Sequence, residues 1–178
     1  MNESNQQRPV VVCLHGSASN SGMWRDLRSA VRDRALVITP ELPARGKLAE
    51  DVGSVLRQLG PQHRAVDIVA HGRGCAVAAR VAVLRPERVS SLVFYEPAGV
   101  PESLARRIRT PLRVLCGTKT WGAAKRAAET LVDAIAGAHL LQLVGLRHMA
   151  PLTHPQPVNN VILDFILPVS MPEHPQAA

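Results

Sequence analysis

A handful of side chains in this sequence are of kinds that move protons, attack carbonyl carbons or hold charge against a substrate. His148 stands in a stretch rich in Gly, His and Pro that follows the last apolar run. A ring in such a loop can serve as a general base when an acceptor fixes its tautomer. Glu96, in the corner Tyr95-Glu96-Pro97, is either the carboxylate that orients such a ring or a plain turn residue. Cys75 opens a helix-like run, and a helix N-terminus lowers a thiol's pKa. A thiol in that place packs against a sheet more often than it faces a site. Arg73 either points to solvent, the favoured reading, or offers its charge to an acidic substrate. His154, in Thr153-His154-Pro155, reads as a capping or loop residue rather than a second base.

These residues need a frame, and the hydrophobic pattern supplies it. Apolar runs at 9–14, 35–39, 66–70, 89–95, 112–116 and 139–144 have the length and β-branched content of buried strands. Between them lie helical patterns. Residues 23–34 place Trp24, Leu27 and Val31 on one face, and residues 48–59 do the same with Val52, Val55, Leu56 and Leu59. A run of small residues from Cys75 ends before Pro86, residues 123–135 end before Gly137, and residues 158–166 form a closing helix. The loops are expected at 15–22, 41–47, 98–110 and 145–157. Six strands alternating with helices predict an α/β fold with a doubly wound, mostly parallel sheet. One domain over 9–167 is expected, with a disordered leader at 1–8 and a loose tail at 168–178.

The totals narrow the function classes. The chain has 178 residues, enough for one sizeable core. Aromatics make up 3%, too few for a base-stacking surface, so no nucleic-acid partner is expected. The net charge of +7 comes from scattered arginines and reads as a solvated basic surface. No window approaches the roughly 18 apolar residues of a membrane span, and residues 1–8 lack the apolar core of a signal peptide. Neither a membrane nor secretion is expected. Cys13, Cys75 and Cys116 have no zinc-site spacing, and two lie in strand-like runs. A reducing, cytoplasmic compartment fits them, with no metal and no cofactor. The sequence leaves oligomeric state open.

Four segments occur in a telling order. They are Leu14-His15-Gly16 followed by small residues and Trp24; Pro40-Glu41-Leu42-Pro43-Ala44-Arg45-Gly46; Ala70-His71-Gly72-Arg73-Gly74 between a strand and a helix; and Gly145-Leu146-Arg147-His148-Met149. Over residues 9–166 the chain resembles the α/β-hydrolase superfamily. Its landmarks are a His-Gly oxyanion loop, a D-L-P-G-H-G turn, a nucleophile elbow of pattern G-x-S-x-G and a catalytic histidine. The resemblance places Gly72 at the nucleophile position, His148 at the histidine, and backbone N–H donors for an oxyanion at Ser17 or Ala18 and at Arg73. It also sets His15, Gly16, His71 and Met149 about the substrate, with His71 packing behind the elbow.

Three departures accompany the match. Gly72 has no hydroxyl, so an acyl-enzyme cannot form there, although glycine suits the strained angles of an elbow. The loop at 117–120, the family's usual site for the acid, carries no carboxylate, which leaves Glu96 as the nearest substitute. The cap that most relatives insert before the fifth strand is reduced to a short connection. The expected function is non-standard hydrolase or lyase-like chemistry on a small ester- or carbonyl-type compound, using His148 and the backbone oxyanion donors. The alternatives are an inactive ligand-binding pseudoenzyme and a scaffold acting through its basic surface. With the acid missing from its usual loop, Gly72→Ser is expected to yield at most a trace of esterase activity.

Overall fold

A computed structural model describes residues 8–17, 19–43, 46–61 and 65–168. The leader expected at 1–8 and the tail expected at 168–178 therefore lie almost wholly outside the described residues. Six strands form one sheet: β1 (Val10–Leu14), β2 (Leu36–Ile38), β3 (Val66–His71), β4 (Val89–Tyr95), β5 (Leu112–Gly117) and β6 (His139–Leu143). Their spatial order is β2-β1-β3-β4-β5-β6, and every pairing is parallel. The helices are α1 (Arg25–Val31), α2 (Leu48–Leu59), α3 (Gly74–Leu84), α4 (Glu102–Ala105), α5 (Gly122–Ala134), α6 (Ala150–Thr153) and α7 (Pro155–Ile166).

Alternation along the strands sends successive side chains to opposite faces, where two cores form. Val10, Val12, Leu14, Ile68, Phe94 and Val114 pack under α2, α3 and α5. Val11, Cys13, Val69, Val93 and Leu115 meet Trp24, Leu27 and Val31 from one side and Val158 and Ile162 of α7 from the other. The small residues of α3 explain its closeness to the sheet: Cys75, Ala78, Ala79 and Val81 are each 0% exposed.

Several boundaries differ from the sequence reading. Helix α7 starts at Pro155 rather than 158, because proline suits the first turn of a helix, where its missing N–H is not needed. The loop at 145–157 also contains α6, and the connection at 98–110 contains the single turn of α4. The first helical segment opens as a 3-10 turn over Ser21–Trp24, whose Gly22 N–H donates to the Asn20 side chain at 2.9 Å.

The strand order changes direction between β1 and β3. In open parallel sheets a ligand crevice forms outside the carboxyl ends of the strands at such a switch point.

Candidate functional site

The register brings the ends of β1, β3 and β4 together at that crevice. Leu14 pairs with Ala70, so His15-Gly16 and His71-Gly72 leave the sheet side by side. His71 pairs with Tyr95, which sets Glu96 next in the row. Gly72 has φ 54°, in the left-handed region open to glycine, and its N–H donates to the Tyr95 carbonyl at 3.1 Å. Two residues on, a Cβ at Gly74 would lie 2.8 Å from the carbonyl oxygens of both Leu14 and His15. Glycine there lets the start of α3 pack on the end of β1.

Glu96 joins the row as a buried carboxylate, 1% exposed, with φ 47°. Its Oε2 accepts from His148 Nδ1 at 2.7 Å, and its Oε1 accepts from the Gly117 N–H at 3.1 Å and from the Thr120 hydroxyl. Burial pushes its pKa up, but the hydrogen bonds from His148, Thr120 and Gly117 outweigh burial and hold it below the ordinary carboxylate value. Glu96 is thus ionised at neutral pH, and three donors fix its orientation. In the neutral ring, a proton on His148 Nδ1 leaves Nε2 with a free lone pair.

That lone pair lies beside Gly72. A Cβ built on Gly72 would stand 3.8 Å from His148 Cε1, 3.9 Å from Nε2 and 3.6 Å from the Gly16 Cα. These are ordinary contact distances, so a small group fits between the ring and the two glycines. The His148 side chain is 49% exposed, and the site opens to solvent.

Two side chains brace the histidine loop from below. His71 Nε2–H donates to the His148 carbonyl at 2.9 Å, and the Tyr95 hydroxyl donates to the Arg147 carbonyl at 2.8 Å. The rings of His71 and His148 have centroids 4.4 Å apart. Burial, and then the neighbouring His148, lower the pKa of His71 to about 4. Its Nδ1 is buried with no hydrogen-bond partner among the described residues, and a Cβ at Gly16 would come within 2.7 Å of it. His71 therefore braces the loop from behind the elbow, as one of the two expectations had it, and does not line the crevice beside a substrate, as the other did.

Other expected residues move in role. His15 was expected beside the substrate, but it is 2% exposed and both ring nitrogens are engaged. Its Nδ1–H donates to the Gly16 carbonyl at 2.9 Å, and its Nε2 accepts from the Leu42 N–H at 3.0 Å, tying the first loop to the turn after β2. Met149 is half-buried and packs against the core cluster that includes Val158 and Ile162 of α7. Ser17 sits exposed in the turn after Gly16, while Ala18 lies outside the described residues. Gly16 lies against Gly72, as given above.

Arg73 does not face solvent. Its guanidinium pairs with Asp51 of α2 and with the Gly46 carbonyl. Asp51 is 3% exposed, and a carboxylate buried that deeply needs a partner, which Arg73 supplies. Cys75 is fully buried and its thiol pKa is pushed well above the ordinary value by desolvation, which removes it as a nucleophile. His154 is exposed, with Nδ1 2.9 Å from the Thr153 hydroxyl, and its side chain makes no cap bond to α7.

Sequence reading missed three supports. Asp51 shares a helical stripe with Val55 and Leu59 at four-residue spacing, which marked it for burial. Thr120 and Tyr95 carried no such signal: a hydroxyl in a loop and a tyrosine at a strand end are common. A shallow cleft between α4 and α5, lined by Pro97, Gly99, Val100, Glu102 and Leu131 among others, includes none of Gly16, Gly72 or His148. Among the described residues, no cluster of three or more His, Cys, Asp or Glu side chains is placed to hold a metal, and no helix is long and apolar enough to cross a membrane.

A parallel sheet of this order, with a strand-turn-helix elbow at its switch point, now meets an independent test. The model of a family described as the alpha/beta hydrolase family matches residues 11–161. The chain belongs to the alpha/beta hydrolase family. Solved structures of this family's fold superpose closely. An enol-lactonase from Burkholderia xenovorans is 13% identical with a TM-score of 0.81, over 92% of this chain and 93% of that one. A protein described as a CIB-like hydrolase from Thermoplasma acidophilum is 17% identical with a TM-score of 0.80, over 93% and 88%. A 2-hydroxy-6-oxo-6-phenylhexa-2,4-dienoate hydrolase from a Rhodococcus strain is 15% identical with a TM-score of 0.76, over 89% and 90%. At such identities the likeness is one of fold. No curated protein matches the sequence.

Proposed function

We propose that this hydrolase-family chain acts on a small ester- or carbonyl-type compound without a covalent nucleophile, using a Glu96–His148 dyad to activate water. Gly72 stands at the family's nucleophile position, and the short connection bearing α4 replaces a cap. Water occupies the space over Gly72, where a serine side chain would otherwise sit. His148 Nε2 takes its proton, and the hydroxide adds to the substrate carbonyl. Backbone N–H groups of Ser17 or Ala18 and of Arg73 steady the oxyanion. Collapse expels the leaving group, which recovers the proton from His148, so that one ester and one water become an acid and an alcohol. Three buried free thiols fit a reducing, cytoplasmic setting.

One observation carries the reading: the 2.7 Å contact between a buried, ionised Glu96 and His148 Nδ1, which aims the free Nε2 at open space. A carboxylate so placed costs burial energy, and a pocket that only binds has no need of it. The second reading, an inactive ligand-binding pseudoenzyme, draws on the exposure of the ring. A half-exposed site excludes water poorly, which weakens electrostatic catalysis.

Screening short p-nitrophenyl esters and small lactones separates the two. Turnover that survives Cys75→Ala and disappears in His148→Ala supports the dyad. Turnover unchanged in His148→Ala overturns it. Ligand-dependent thermal stabilisation with no turnover from any substrate favours the pseudoenzyme.

A further inference from the structure

Beside the crevice, the loops after β5 and β6 carry the two most exposed large apolar side chains among the described residues. Trp121 is 84% exposed and Val144 is 87% exposed. The loops are bound into one unit. The Thr118 N–H donates to the Leu143 carbonyl at 3.0 Å, the Lys119 N–H to the Leu146 carbonyl at 3.0 Å, and the Gly145 N–H to the Thr118 hydroxyl at 2.9 Å. Leaving an indole in water forgoes the burial of one of the largest apolar side chains. Isolated exposed residues are common, but these two sit on joined loops at the same end of the sheet.

The charges on the two loops and the first turns of α5 are basic. Residues 117–128 and 143–157 contain Lys119, Lys125, Arg126 and Arg147, and the first carboxylate along α5 is Glu129, a turn beyond Lys125. All four cations are exposed, and among the described residues none takes part in an ion pair. On neighbouring elements Arg106 pairs with Glu102 and Arg113 with Asp164.

We propose that this lip is a peripheral docking surface for an anionic lipid bilayer. Trp121 and Val144 seat at the boundary of headgroups and acyl chains, a depth that suits an indole, and the four cations lie over lipid phosphates. A bilayer fits better than a protein partner. Two protruding loop tips offer far less than the roughly 800 Å² per partner of a stable protein interface, whereas shallow insertion beside a basic cluster suffices at a membrane. The inference concerns a peripheral contact, for which no spanning segment is needed, and it does not depend on the chemistry at Gly72. It does bear on access. Thr120 holds Glu96, and Arg147 precedes His148, so a docked lip brings the open crevice to the lipid surface.

The test mixes the full chain with vesicles of phosphatidylcholine alone and with phosphatidylglycerol, scored by co-sedimentation and tryptophan emission. Trp24 is 1% exposed, so a change in emission reports Trp121. The expected result is sedimentation with the anionic vesicles only, a blue shift, and release as salt is raised. Paired substitutions Trp121→Ser with Val144→Ser, or Lys119→Glu with Lys125→Glu, should each weaken binding about tenfold or more. These positions are exposed, so the fold tolerates them, and circular dichroism checks that it does. Four outcomes overturn the proposal: no sedimentation at low salt, equal binding to neutral vesicles, binding with no blue shift, or a dimer in light scattering that Trp121→Ser dissociates.

Discussion

His71 and His148 are the same side chain with ring centroids 4.4 Å apart, yet the fold gives them opposite tasks. His71 ends a central strand, is 1% exposed, and is kept neutral by burial with a pKa lowered to about 4. Its one hydrogen bond goes to backbone, so it holds a shape. His148 sits on a loop, half exposed, with an ionised carboxylate on one nitrogen and open space at the other. The difference lies in what the neighbours leave free. A histidine becomes a base when one nitrogen is oriented and the other is left uncommitted near a space that water can enter. His71 fails on the second condition, because its bare nitrogen is closed off by Gly16.

The most severe way to break this contrast is to give His148 a nucleophile to serve. With Glu96 on its Nδ1, Gly72→Ser should do much more than the trace expected when the acid was sought in the 117–120 loop. We expect p-nitrophenyl acetate hydrolysis to rise on the order of 100-fold above the native chain, with new labelling by a fluorophosphonate, at a folding cost of about 1 kcal/mol for a non-glycine residue at φ 54°. Adding Glu96→Gln should take nearly all of that gain away, since an unoriented histidine in a triad loses on the order of 10⁴ in kcat. A fast Gly72→Ser esterase indifferent to Glu96→Gln would show that the 2.7 Å contact has no part in orienting the ring.

That revision shows what sequence can and cannot reveal. The sheet was legible because apolar runs and turn residues agree at every level, and α2 and β4 fall where the pattern puts them. Glycines at 72 and 74 and a histidine at 148 were legible as positions on strand-to-loop junctions. The partner of His148 was not, because a carboxylate in a Tyr-Glu-Pro corner reads equally as a turn residue. Only the register of β4 against β3 and β5 decides that it points inward. Likewise nothing local in Arg73 announces Asp51, 22 residues away in sequence, and the pairing exists only once α2 has packed beside α3. Long-range satisfaction of buried polar groups is a tertiary fact.

A gentler test acts on His71. Between its ordinary pKa of 6.5 and its folded value of about 4, the unfolded chain takes up a proton that the folded chain refuses, so stability falls as pH drops through that window. Glu96 works in the same direction at lower pH: held below its ordinary 4.5, it stabilises the fold above that value and loses the contribution as it protonates. His71→Gln keeps a donor for the His148 carbonyl and removes the titration. Urea denaturation at pH 7 and pH 5 should therefore show the native chain losing about 2 kcal/mol more than the variant. Equal losses would mean that His71 is not kept neutral by its surroundings.

The finest distinction between the two rings costs no substitution. His71 donates from Nε2 to a carbonyl, so its proton is on Nε2 and its Nδ1 is bare. His148 donates from Nδ1 to Glu96, so in its neutral form the proton is on Nδ1 and Nε2 is bare. The two neighbours should thus be opposite tautomers, which long-range ¹H–¹⁵N correlation spectra of labelled histidine resolve through the two ring-nitrogen shifts. Glu96→Gln should disturb the His148 pattern while leaving that of His71 in place, because the carbonyl that His71 meets belongs to backbone also braced by Tyr95. If both rings showed the same tautomer, the free lone pair beside Gly72 would not exist, and His148 could not take a proton from water there.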